Sequence, residues 1–156
     1  MLKLNKRGIT LIPLVITIII LGIIASVSIY TGTNIIKKTS LQTINTNMML
    51  IQAKVKTISE QAKFNNDTSI YKGTKLTQIE ENKKIDELVS KNIVEKNENY
   101  YLLSQSDLNE MGLEKIKIDD GYIVEYVNNE IIYVKGFNAN NNTYYKLSEM
   151  KNLNIE

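Results

Sequence analysis

At 156 residues, 43% of them hydrophobic and 23% charged, the chain has room for one modest domain plus an anchor, and a formal charge of +2 excludes a nucleic-acid binder built on bulk charge. Cysteine and histidine are both absent, which removes disulfides, thiolate chemistry, the commonest general base and the commonest metal ligand. Lys3, Lys6 and Arg7 carry three of the positive charges, so a chain lacking residues 1–8 would carry −1, and the basic balance belongs to the leader.

Behind that leader no charged residue occurs between Arg7 and Lys37. Residues 9–30, ITLIPLVITIIILGIIASVSIY, are polar only at small hydroxyls and the closing tyrosine. About 20 apolar residues rising 1.5 Å each match a hydrocarbon core of about 30 Å, so the segment predicts a transmembrane helix. A core helix apolar on every face does not suit so small a domain. The positive leader favours a cytoplasmic N-terminus, against a weaker vote from Lys37 and Lys38 at the other end. A secretory signal would be cut behind the apolar region, and Ala25-Ser26-Val27-Ser28 imitates such a site weakly.

Lys6-Arg7-Gly8-Ile9-Thr10-Leu11-Ile12, followed by an apolar helix containing Gly22, resembles the class III signal of type IV pilins and type II secretion pseudopilins. In that family a membrane peptidase cuts after the glycine on the cytoplasmic side and methylates the new terminus. The resemblance implies cleavage between Gly8 and Ile9, with Ile9 as the methylated amine and Lys6 and Arg7 as part of the address. Ile9 replaces the family's usual phenylalanine, a mild departure. Pro13 is a larger one, because the family usually carries there a glutamate that neutralises a neighbouring subunit's terminal amine. Proline fits the first turn of a mature helix sterically, but it leaves that ammonium unpaired in an apolar setting, which is costly. In the family a missing glutamate marks minor, tip-located subunits and divergent Gram-positive members.

Past the span, Leu41, Ile44, Met48, Ile51, Val55, Ile58 and Ala62 recur at spacings of three and four, one apolar stripe on a helix over residues 31–64. The pattern is also heptad-like, but packing on the chain's own folded body is the simpler use of so short a stripe. Gly32 marks either a bend in the helix or the point where lipid gives way to water, and Asn65-Asn66-Asp67 is expected to end the helix.

Residues 65–156 read as a head outside the membrane. A surface helix is predicted over 76–94, with Leu76, Ile79, Ile85, Leu88 and Val89 on one face and a Thr77/Glu80 capping box. Tyr100-Tyr101-Leu102-Leu103 predicts a strand, and Ser106 through Gly112 one helical turn between a serine cap and a glycine stop. YIVEYV and EIIYVKG around Asn128-Asn129 predict a hairpin, followed by a polar loop over 138–142 and a further strand at Tyr144-Tyr145-Lys146-Leu147. The stretch from Ile131 to Leu147 also resembles, diffusely, the C-terminal sheets of clostridial pseudopilin-like proteins. Eight of the nine tyrosines lie in this head.

Asp119-Asp120-Gly121 lacks the alternating ligand spacing of a calcium loop and reads as a turn. No phosphate loop or nucleophile motif is present, and the lysine pairs are mixed with acids, so neither an enzyme, a cofactor nor a metal is expected. The fold class expected is α+β and pilin-like: a long N-terminal helix, half membrane and half amphipathic, packed on a small antiparallel sheet. The function the resemblance implies is a membrane-anchored minor pilin or pseudopilin of a type IV pilus, type II secretion-like or DNA-uptake machine. Its expected partners are a prepilin peptidase, other pilin or pseudopilin subunits and membrane lipid, with no nucleic acid. The alternative is a single-pass protein, permanently anchored, whose extracytoplasmic binding domain never enters a filament.

Overall fold

The structure is a computed structural model that describes residues 11–118 and 121–154, with side chains of residues 11–12 and 24–34 left outside the description. The element order is α1 (Leu11–Asn65), β1 (Thr74–Lys75), α2 (Lys83–Ser90), β2 (Tyr100–Leu103), α3 (Gln105–Glu110), β3 (Tyr122–Glu125), β4 (Glu130–Ala139), β5 (Asn142–Lys146) and α4 (Leu147–Met150). Two short 3-10 turns, Thr68–Ile70 and Leu76–Gln78, interrupt the loops. The chain divides into two compact units, one ending at Thr39 and one spanning Ser40–Ile155, with the division inside α1.

In the first unit α1 runs through Pro13, Gly22 and Gly32. Among the described residues no helix is long and apolar enough to cross a membrane; of the span expected at 9–30, side chains are described only for residues 13–23.

The second unit is α+β, built on a five-stranded antiparallel sheet in the order β1-β2-β3-β4-β5. Each strand pairs with its neighbour in sequence, and α2 and α3 lie in the β1–β2 and β2–β3 connections. Period-two alternation sorts the sheet's side chains into two layers. Tyr101, Leu103, Tyr122, Val124, Ile131 and Tyr133 face one way and join Met48, Ile51 and Val55 of α1, Leu108 of α3, and Leu147 and Met150 of α4. Ile123, Ile132 and Val134 face the other way, against Leu76 and against Ile85 and Leu88 of α2. The expected stripe on α1 is therefore the seat of the sheet: Leu41, Met48, Ile51, Val55 and Ala62 are buried, with Ile44 and Ile58 half-buried beside them.

One backbone device ends three of the helices. Asn66, Asn92 and Gly112 take φ of +52°, +56° and +74°. In each case the next N–H reaches back to the helix: Asp67 to the carbonyl of Ala62 at 2.9 Å, Ile93 to Leu88 at 2.9 Å, and Leu113 to Leu108 at 2.8 Å. This is the Schellman arrangement, which occupies carbonyls the helix leaves open. Asn65-Asn66-Asp67 thus ends α1 as expected, and Asp67 goes on to cap the next turn through the N–H of Ser69 at 2.8 Å.

Several expected boundaries move. The helix expected over 76–94 is two pieces, because Leu76 turns into the core on a 3-10 turn and α2 starts only after Asn82. Asn82, a stronger cap than a threonine, accepts from the N–H of Lys84 at 3.1 Å and Ile85 at 3.2 Å, so the Thr77/Glu80 box is not the start. Ser104, not Ser106, caps α3, in a capping box with Asp107. The loop expected over 138–142 shrinks to Asn140-Asn141, both at positive φ, so β4 and β5 meet in a tight primed turn. Leu147 belongs to α4 instead of the last strand. Between β4 and β5 the register slips, from Ile132 opposite Lys146 to Phe137 opposite Tyr144. Gly136 sits in this bulge at φ +72°, where a Cβ would meet the Thr143 methyl at 2.6 Å.

Candidate functional site

The residues expected to carry processing, Lys6, Arg7, Gly8 and Ile9, lie outside the described residues, as do Asp119 and Asp120. Pro13 and Gly22 are described: both are helical and exposed, and nothing lies within 4 Å of a Cβ built on Gly22. Around them every residue from 13 to 23 is exposed, including Leu14, Val15, Ile16, Ile18, Ile19, Ile20, Leu21 and Ile23. Eight large apolar side chains on all sides of one helical stretch far exceed the scattered apolar residues of an ordinary surface.

Within the second unit, residues 40–65 of α1 are seated on the sheet. Beyond the apolar stripe, three side chains of α1 reach backbone carbonyls far along the chain. The Ser59 hydroxyl donates to the carbonyl of Tyr126 at 3.2 Å, the Gln52 amide to Asn129 at 2.8 Å, and the Asn45 amide to Met150 at 3.1 Å. The Lys151 ammonium donates to Gln52 Oε1 at 3.2 Å. Two of the carbonyls belong to the β3–β4 turn. Glu125 sets that turn: its carboxylate is buried and accepts from the N–H groups of Val127 and Asn128, both at 2.8 Å.

Tyr126 ties the segment after α1 to the same turn. Its ring stacks on Tyr71 with centroids 3.9 Å apart and meets Tyr101 edge-on at 5.1 Å. Its hydroxyl accepts from the Lys72 N–H at 2.8 Å and donates to the Lys72 carbonyl at 3.1 Å. One phenol thereby satisfies both backbone groups of a residue in an extended strap. Burial pushes the Tyr126 hydroxyl up to about 12. Asp107 takes the next N–H, that of Gly73, at 3.1 Å, and the Lys72 ammonium meets Glu110 at 2.7 Å.

A pocket of about 320 Å³ is lined by Tyr100, Glu125, Asn128, Glu130, Ile132, Lys146 and Ser148. Its carboxylates are already committed. Both oxygens of Glu125 accept turn N–H groups, and Glu130 Oε1 accepts from Ile131 and Ser148 at 3.2 Å each. Burial, helped by Glu125, Glu95 and Glu130, raises the Tyr100 hydroxyl above its ordinary value, so it stays protonated. Among the described residues no group of three or more acidic, histidine or cysteine side chains is placed to hold a metal.

Sequence pattern does not single out Ser59, Glu125 or Tyr126. Ser59 lies four residues after Val55 and three before Ala62, so a polar residue at stripe spacing is the available signal. Glu125 and Tyr126 fall inside a run that alternates like a strand, which conceals the turn they build. Compared with known proteins, the chain matches no protein-family model, no curated protein and no solved structure.

Proposed function

We propose that the chain is a prepilin-like structural subunit. Residues 1–8 are its leader, residues 9–30 its membrane helix and the α+β unit its extracytoplasmic head. The observation that carries this reading is a basic leader ending in Gly8-Ile9 directly before helix residues whose apolar side chains are exposed on every face. The amphipathic continuation of α1, seated along one stripe on a small antiparallel sheet, supports it. The work done is mechanical. The apolar helix is held in the bilayer after a prepilin peptidase has cut and methylated it, and it then packs among other pilin or pseudopilin subunits of a pilus, secretion or DNA-uptake machine.

Pro13 favours a second reading, a permanently anchored protein that never enters a filament, since proline cannot neutralise a neighbour's terminal ammonium. Within the first reading it assigns the chain to a minor or tip position instead of the filament bulk.

Co-expression with a prepilin peptidase followed by N-terminal sequencing tests the proposal. The mature protein is expected to begin at N-methylated Ile9, and Gly8→Ala should leave it unprocessed. An intact Met1 terminus, or a cut near Ser28, would sink it. If processing occurs but the protein stays in membranes after cells are sheared, the second reading holds, and Pro13→Glu is then the change expected to move it into filaments.

A further inference from the structure

Charge is distributed along this chain with a sharp break that the net value of +2 hides. The first acidic residue is Glu60. Residues 1–59 contain seven of the nineteen basic residues and none of the seventeen acids, a charge of +7, so residues 60–156 carry −5. Within the positive part, Lys37 and Lys38 directly follow Ile35 and Ile36 on α1. The two isoleucines are 63% and 66% exposed, and both lysines are exposed as well. Neither lysine forms an ion pair with a described residue, whereas Lys63, Lys72, Lys75, Lys91 and Lys96 each hold a carboxylate.

We propose that Ile35, Ile36, Lys37 and Lys38 form a collar that binds the phosphate headgroups of anionic lipids where the helix leaves the membrane on the side of the head. The inference rests on the membrane-anchor reading above. Four consecutive helical residues step around the axis by about 100° each, so these side chains ring the helix instead of presenting one face to a protein partner. Their chemistry is layered in the way an interface requires, with branched apolar groups toward the span and cations beyond them. Lys37 lies seven residues after Tyr30, about 10 Å of helix, and the headgroup layer is about 5–8 Å thick. A lysine stem laid back along the isoleucines bridges the difference and keeps its ammonium among phosphates. The absence of any acid in residues 1–59 means that no near neighbour along the helix competes for these cations. It also runs against the usual preference for positive charge on the cytoplasmic side, which implies a use that offsets the topological cost.

Full-length protein reconstituted in phosphatidylcholine vesicles with trace spin-labelled lipid tests this directly. The motionally restricted lipid fraction measures association of each labelled headgroup with the protein. The chain is tested with Lys3→Gln, Lys6→Gln and Arg7→Gln already in place, so that the leader contributes nothing. Spin-labelled phosphatidylglycerol should be preferred over spin-labelled phosphatidylcholine by roughly fivefold for each lysine near the surface at low salt, and less at high salt. Lys37→Gln with Lys38→Gln should bring the preference close to parity, Lys37→Arg with Lys38→Arg should retain it, and Lys54→Gln with Lys56→Gln should leave it unchanged. A preference that survives loss of Lys37 and Lys38 overturns the inference, as does a restricted lipid fraction with no headgroup preference. No restricted fraction for either label overturns the membrane anchor itself, and the collar with it.

Discussion

Within α1, residues 13–23 expose their apolar side chains on every face, whereas between Leu41 and Ala62 the apolar residues of the stripe are hidden against the sheet. The two stretches use similar residues in different arrangements. In the first, isoleucine, leucine and valine follow one another, and the single polar side chain, Thr17, donates its hydroxyl to the carbonyl of Leu14 at 2.8 Å, so no face is left for water. In the second they recur every three or four positions, with Gln, Lys and Thr between them. The difference teaches what each stretch is built to meet. An unbroken apolar surface needs an apolar solvent or several helical neighbours, while a stripe needs one partner surface, and here the chain supplies it.

The sharpest way to break this comparison is to make the same change in both stretches. Ile51 is fully buried and Ile19 is 56% exposed. Ile51→Ala should destabilise the head by about 2–5 kcal/mol through lost burial and a cavity, and Ile19→Ala should change head unfolding by no more than about 0.5 kcal/mol. Denaturant titration in detergent, followed by tyrosine fluorescence, reads both. Equal effects would mean that the two stretches are not distinct.

Next in size is the Tyr126 latch. Tyr126→Phe keeps the stacked ring but orphans the N–H and carbonyl of Lys72, for an expected loss of about 1–3 kcal/mol. The same residue sets a pH dependence. In the unfolded chain a tyrosine ionises near 10, but in the fold this one ionises only near 12. Its contribution is therefore fully present below pH 10 and disappears as pH rises from about 10 to 12, a fall of about 2–3 kcal/mol. Stability of the wild type should drop more steeply across that window than stability of Tyr126→Phe, and parallel curves would contradict the assignment. Ser59→Ala should show the smallest effect of the three changes made inside the head, about 1 kcal/mol, because it removes one buried donor and leaves the Tyr126 carbonyl without it.

The contrast between the two stretches was legible in the sequence, because periodicity and its absence are properties of residue order alone. The five-stranded sheet was legible only in part. Tyr100–Leu103 and the β3–β4 pairing stand out as β-rich runs, but β1 is two residues long and carries no pattern. Two acceptable caps stand close together at Thr77 and Asn82 and again at Ser104 and Ser106, and residue type alone does not choose Asn82 and Ser104. The choice between them depends on which apolar residue must enter the core. The latch was invisible for a different reason. Tyr126 acts through the backbone groups of Lys72, far back along the chain, and no side-chain pattern encodes the position of a distant N–H, while Glu125 takes the N–H groups two and three residues on inside a run that alternates like a strand.

The chain contains no cysteine, so single cysteines can be placed along α1 without background. Ile19→Cys, Met49→Cys and Phe64→Cys put a thiol in the unbroken apolar stretch, on the outer side of the seated stretch, and at a position that is 91% exposed. Intact cells expressing each variant would be treated with a membrane-impermeant maleimide, with and without detergent. The account predicts that positions 49 and 64 label without detergent and that position 19 labels only after it is added. Labelling at position 19 as fast as at position 49 in intact cells would contradict it.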